Sequence, residues 1–129
     1  MIILDTNIVI FLLNGEKNIE KALSDYSPSE VALSFISVGE LVFGAHHSKR
    51  NKENLGRVLS FANTVQVMDS CKEISLIYGE LKARSFELGL FPGDNDLWIA
   101  STVLYEKATL ITRNLKHFNW IRELKTESW

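Results

Sequence analysis

Apolar and polar positions along this chain follow two different periods, and the changes between them predict an α/β protein. Met1–Leu4 is a continuous apolar run, as expected of a short strand buried on both faces of a parallel sheet. Asp5-Thr6-Asn7 then supplies helix-capping residue types, and Ile8–Leu13 continues as a buried helix ending near Asn14-Gly15. Ile19, Ala22, Leu23 and Tyr26 follow i, i+3, i+4, i+7 spacing, a short amphipathic helix stopped before Pro28. Val31–Phe35 predicts a second strand.

Ser37-Val-Gly-Glu40 has the form of a capping box, with Val38, Leu41, Val42 and Ala45 on one apolar face. That reading places Glu40 in the first turn of a helix. Leu55, Val58, Leu59 and Ala62 repeat the spacing and predict a helix over Asn51–Ala62. Thr64–Met68 alternates weakly, as a third strand would. Ile74, Ile77, Tyr78, Leu81, Ser85 and Leu88 mark a long helix, with Gly89 suited to its left-handed C-terminal position. Leu90–Asn95 reads as a loop, and Asp96 opens a central helix that is apolar almost all round. Ala108–Ile111 predicts a fourth strand, Thr112–Phe118 a loop or short helix, and Arg122–Lys125 an edge strand. The alternation gives one α/β domain over 1–129, a mainly parallel sheet flanked by helices.

Composition narrows the setting. With 46% hydrophobic and 23% charged residues the chain is expected to be globular rather than disordered or fibrous. Its single cysteine, Cys71, cannot form an intramolecular disulfide, which favours a reducing compartment and hence the cytoplasm. Ile8–Leu13 is too short for a membrane span, and no secretory leader is visible. The net charge of −2 argues against a simple basic nucleic-acid binder. It leaves room for a nuclease, because clustered acids that hold a cation are partly neutralised by it.

Three carboxylates carry the candidate chemistry. Asp5 closes the first strand, Glu40 stands early in a helix, and Asp96 opens another. In an α/β fold, strand carboxyl ends and adjoining helix starts gather at one edge of the sheet, where ligands bind. Oxygen-only ligands there suit a hard cation such as magnesium or manganese, and the chemistry is metal-assisted phosphodiester hydrolysis. Each acid also has a local structural role open to it, as a helix cap, a capping-box member or a partner of the helix dipole. Thr6 and Asn7 are placed to orient Asp5, Asp94 lies beside Asp96, and Thr112-Arg113-Asn114 follows the fourth strand to the same edge. Lys49, Arg50 and Lys52 form one basic cluster, Arg113 and Lys116 another, as candidate RNA contacts.

Other chemistries lack their residues. His46 and His47 are adjacent, so their side chains diverge and cannot form an i, i+4 zinc pair. There is no phosphate-cradling glycine loop, GxSxG elbow or CxxC. Trp98 is expected to fill core space and Trp129 to anchor the tail. Two rival readings stay open on the residues alone. One is a phosphatase-like enzyme with Asp5 as nucleophile, which lacks a second aspartate at Asn7. The other is a non-catalytic acidic-pocket module of the receiver kind, which expects a lysine where Thr112-Arg113-Asn114 stands.

At these residues the chain resembles the PIN-domain ribonucleases, specifically the VapC toxins of VapBC toxin–antitoxin modules. The matching segments are Leu4-Asp5-Thr6-Asn7, Ser37-Val-Gly-Glu40-Leu41 with Gly44-Ala45, and Gly93-Asp94-Asn95-Asp96-Leu97-Trp98-Ile99-Ala100. Leu110-Ile111-Thr112-Arg113-Asn114 with Phe118, and the ending Glu127-Ser128-Trp129, complete them. The resemblance implies a parallel sheet flanked by helices and an acidic pocket for Mg2+ or Mn2+. Asp5, Glu40 and Asp96 would take the family's first three acidic positions, Asp5 and Asp96 as metal ligands and Glu40 as the residue that positions or activates water. It also implies a homodimer, a VapB-type antitoxin, and structured RNA, often tRNA, as substrate. Asn114 stands where many relatives carry a fourth carboxylate, and Asp94 is an extra acid that could compensate.

Overall fold

Five short parallel strands carry the molecule, which we describe from a computed structural model covering residues 1–129. In chain order the elements are β1 (Ile2–Leu4), α1 (Thr6–Leu13), α2 (Lys17–Leu23), a 3-10 turn (Pro28–Glu30) and β2 (Val31–Ser34). Then come α3 (Phe35–His46), α4 (Asn51–Ala62), β3 (Gln66–Met68) and α5 (Lys72–Glu87). The chain ends with α6 (Asp94–Tyr105), β4 (Thr109–Ile111), α7 (Leu115–Phe118) and β5 (Lys125–Glu127). The strand order is β3-β2-β1-β4-β5, so the chain winds outward on one side of β1 and then crosses to the other. The junction of β1 and β4 is therefore the topological switch point, where open α/β sheets form their binding crevice.

Alternation along each strand divides the core in two. Ile3, Ala32 and Leu110 face α5, α6 and α7, packing with Leu81, Ile99, Val103 and Phe118. Ile2, Leu4, Val31, Leu33 and Ile111 face the opposite way, onto Ile8, Val9, Ile19, Leu41 and Val58 of α1 to α4. Both faces are covered, which is why β1 reads as an uninterrupted apolar run. Gly15 and Gly89 end α1 and α5 at φ +80° and +69°, where a Cβ would be strained. No helix is long and apolar enough to cross a membrane.

Three boundaries differ from expectation. α3 begins at Phe35, because Ser34 leaves β2 and its Oγ accepts the Ile36 N–H at 3.2 Å. Ser37 is therefore inside the helix rather than its cap, and Glu40 lies in the second turn. α6 starts at Asp94, two residues early, so Asp96 is its third residue. β5 lies at Lys125–Glu127, pairing Thr109 with Lys125 and Ile111 with Glu127. The apolar residues that suggested Arg122–Lys125 serve the core instead: Leu124 is buried, as is Ile121 just before that span.

Displacing the helix start leaves Ser37 fully buried with a hydroxyl that has no hydrogen-bond partner. By contrast, the buried Ser101 donates to the Leu97 carbonyl at 2.6 Å. Removing an unmade bond removes a desolvation penalty, so Ser37→Ala is expected to be neutral or to stabilise by about 1 kcal/mol. The midpoint of urea unfolding measures this; a loss of stability would mean the hydroxyl is bonded in solution.

Candidate active site

The strand ends at the switch point are tied together through one carboxylate. Asp5 follows β1 in extended conformation and caps α1, its Oδ1 accepting the Thr6 N–H at 2.8 Å. Its own N–H donates to the Ile111 carbonyl at 2.9 Å, continuing the ladder to β4. Thr112, the residue after β4, is fully buried and donates its hydroxyl to Asp5 Oδ2 at 2.7 Å. The same Thr112 oxygen accepts the Asn114 N–H at 3.0 Å. Thr6 donates its hydroxyl to Glu40 Oε1 at 2.7 Å, fixing α3's acid beside α1. Asp96, from α6, is half-buried and has one oxygen 3.1 Å from Nδ1 of His117 on α7.

Charge at this edge is uncompensated. Burial pushes the Asp5 carboxyl above the usual carboxylate range. The hydrogen bonds from Thr112 and Thr6 oppose that shift, while the neighbouring charges of Asp96 and Glu40 add to it. No lysine or arginine pairs with any of the three acids; His117 is the one positively chargeable partner, on Asp96. Thr112→Val, which keeps the shape and loses the donor, should raise the Asp5 carboxyl further. It should also destabilise by about 1–3 kcal/mol at neutral pH, because a buried carboxylate oxygen loses its partner. Melting as a function of pH reads both effects: the deficit should shrink in acid, where Asp5 takes up its proton.

The remaining predicted residues separate into those at the edge and those committed elsewhere. Asn7 is exposed and makes no bond to Asp5; the orienting groups are the Thr6 backbone N–H and the Thr112 hydroxyl, just past the ends of β1 and β4. Asp94 does not extend the acid cluster. Its carboxylate accepts from Lys82 at 2.8 Å and Tyr78 at 2.7 Å, and chiefly Lys82 holds it below the usual range. Asn114 caps α7 through its backbone, with its side chain unbonded. Arg113 is not a free cation: it donates to the Trp129 carbonyl at 2.6 Å, pairs with Glu16 and lies over the Phe11 ring at 4.7 Å. That clamp, with Trp129 stacked on Tyr26 at 5.8 Å, anchors the tail. Trp98 is half-buried and stacks on Tyr78 at 3.8 Å.

Lys49, Arg50 and Lys52 are exposed around the α3–α4 turn, with Arg50 near Glu53 at 3.9 Å. Lys116 lines a cleft with Asp96. Sequence reading missed two residues: His117, on Asp96, and Arg57, which lines a groove with Glu40. Nothing in local spacing indicates that α7 packs beside the start of α6.

The donors present fit a hard divalent cation. Asp5 and its acidic neighbours repel one another with no cationic side chain among them, and every candidate ligand is a carboxylate oxygen. No three acidic, histidine or cysteine side chains lie close enough to enclose an ion by themselves. One or two carboxylates with retained waters is the ordinary coordination for magnesium.

The PIN domain family model matches residues 2–122 of this chain. A ribonuclease VapC2 of Rickettsia felis is 34% identical over 131 residues, spanning 98% of this chain and 96% of the relative. A VapC of Salmonella typhimurium, named a tRNA(fMet)-specific endonuclease, is 27% identical over 126 residues with the same two coverages. Among solved structures, VapBC-1 from nontypeable Haemophilus influenzae superposes with a TM-score of 0.91 at 34% identity, covering 100% of this chain and 98% of that one. With a family model spanning nearly all its length and a relative this similar from end to end, the chain belongs to the PIN-domain family and, within it, to the VapC group.

Proposed function

We propose that this chain is a divalent-metal-dependent endoribonuclease, the toxin of a toxin–antitoxin module, which cuts structured RNA, tRNA in particular, and so arrests translation. The observation that carries this reading is the buried Asp5 carboxylate at the switch point, hydrogen-bonded across β1 and β4, with Glu40 and Asp96 adding negative charge beside it. The relatives support the substrate class, since those named act as ribonucleases and one on a tRNA. They also support a VapB-type antitoxin as partner, because the solved relative is a VapBC assembly. A homodimer working in the cytoplasm completes the proposal.

Asp5 and Asp96 would hold the Mg2+ or Mn2+. Such a cation supplies Lewis acidity, screening the phosphate charge and lowering the pKa of water. Glu40, which accepts the Thr6 hydroxyl, would receive a proton from the attacking water. The water oxygen then forms the new bond to phosphorus, the bond to the 3′ oxygen breaks, and solvent protonates that oxygen. Unpaired loops are the accessible targets, since their backbone can enter a cleft. Asp5→Asn is a suitable inactive control, as Asn can still cap α1.

The end groups of the products test the mechanism. Water as nucleophile leaves 5′-phosphate and 3′-hydroxyl ends. A 2′,3′-cyclic phosphate would contradict it, because that product requires attack by the RNA's own 2′-hydroxyl.

A further inference from the structure

Beside Asp96, with neither Asp5 nor Glu40 in its lining, lies a cleft of about 280 Å³, lined by Phe91, Pro92, Asp96, Lys116, His117 and Trp120 among others. Three features distinguish it from an ordinary polar surface. Phe91 is 78% exposed, yet its ring is braced edge-on by Phe86, with centroids 5.5 Å apart and planes at 66°. Trp120 donates its indole N–H to the His117 carbonyl at 3.0 Å, and His117 reaches Asp96 through Nδ1. Lys116 is exposed and takes no part in any ion pair, in a molecule whose net charge is −2.

Each feature points to the same class of ligand. A ring that is largely exposed, with a second ring against its edge, offers an open stacking face. Aromatic faces interleaved with free cations are how proteins hold unpaired nucleotides, with bases on the rings and phosphates on the charges. The volume falls just below the range of pockets for larger organic ligands, and suits one base. Asp96 forms part of the wall, so anything held here is next to the reacting phosphate.

We propose that this cleft binds an unpaired nucleotide of the substrate RNA flanking the scissile phosphate, its base on Phe91 and its phosphate at Lys116. The inference rests on the ribonuclease reading above, and adds the subsite that would select the strand geometry at the cut. Phe91 is a binding residue in this account. Duplex RNA is excluded, because its bases present no free face.

The test uses the full chain carrying Asp5→Asn, so that RNA is bound and not cut, with a fluorophore-labelled short single-stranded oligoribonucleotide as probe. Adding Phe91→Ala should weaken binding about tenfold, the effect of losing one stacked base. Phe91→Trp should restore it, Lys116→Ala should flatten its salt dependence, and none should change the melting temperature. The same strand annealed into a duplex should bind poorly and be indifferent to Phe91→Ala. Unchanged single-strand binding in Phe91→Ala overturns the proposal. So does a shift of that variant from dimer to monomer in sedimentation, which would make Phe91 a contact between copies of the chain. Cleavage by the chain with Asp5 intact, run in parallel, separates the two claims. If that chain cuts RNA and Phe91→Ala binds normally, the subsite fails and the ribonuclease reading stands; if it cuts nothing, the ribonuclease reading fails first.

Discussion

Replacing Asp5 by Asn is expected to reduce RNA cleavage by at least about a thousandfold, roughly 4 kcal/mol of transition-state stabilisation, while leaving the fold as stable as before or more so. The two halves have one cause. Burial and the charges of Asp96 and Glu40 raise the Asp5 carboxyl in the folded state, so ionised Asp5 is less favourable there than in the unfolded chain. Above the folded pKa this residue therefore lowers stability. The penalty is relieved as pH falls through that pKa and is gone below the unfolded one. Asn never ionises, and its side-chain oxygen can still accept the Thr6 N–H that caps α1. The variant should accordingly melt no lower than the parent at neutral pH, and any advantage should disappear as the pH falls into the acid range. Magnesium or manganese should raise the melting temperature of the parent and not of the variant, since a bound cation stabilises the state that binds it. A variant that lost activity by unfolding would show the opposite, a lower melting temperature at every pH.

Phe118→Ala is expected to have the largest effect on stability. Phe118 is the bulkiest fully buried side chain, 1% exposed, and joins α7 to the core beneath β1 and β4. Truncating such a phenylalanine destabilises by about 3–5 kcal/mol, or about 10 °C or more for a domain of this size. The substitution also reaches the site, because α7 carries His117 against Asp96. Cleavage measured well below melting should fall even where the variant is fully folded. Phe43→Ala makes the natural comparison, as an exposed phenylalanine should change stability by less than about 0.5 kcal/mol. If Phe118→Ala unfolded no more readily than Phe43→Ala, α7 would not be docked as described.

Where hydrophobic pattern and local capping agree, the fold was legible in the residues. β1, α1, α4 and α5 fall within a residue or two of expectation: β1 is an unbroken apolar run, α4 and α5 keep a helical period, and Asn14-Gly15 and Gly89 stop α1 and α5. The misplacements have separate physical reasons. Ser37-Val-Gly-Glu40 resembles a cap, but the strand runs directly into α3 and Ser34 takes that role. β5 is entirely exposed and polar, so no alternation announces it; it exists because its backbone pairs with β4.

The candidate site divides in the same way. Asp5, Glu40 and Asp96 could be gathered from topology alone, because strand ends and helix starts share an edge. Which neighbours serve them could not. Thr6 and Asn7 look equivalent in sequence, yet only Thr6 bonds to Asp5 and Glu40. Asp94 and Asp96 are two residues apart on one helix, and that rotation gives Asp94 to Lys82 and Asp96 to His117. Arg113 looked like a cation for RNA and is held instead by Glu16 and the tail. Each distinction depends on contacts between residues far apart in the chain.

The most direct measurement is cleavage of total tRNA by the purified chain in magnesium, in manganese and in EDTA. The account predicts cuts at a few discrete sites that require the metal, vanish in EDTA and return when the ion is restored in excess. Cutting that continues undiminished in EDTA would contradict it, because the acidic edge would then have no part in the reaction.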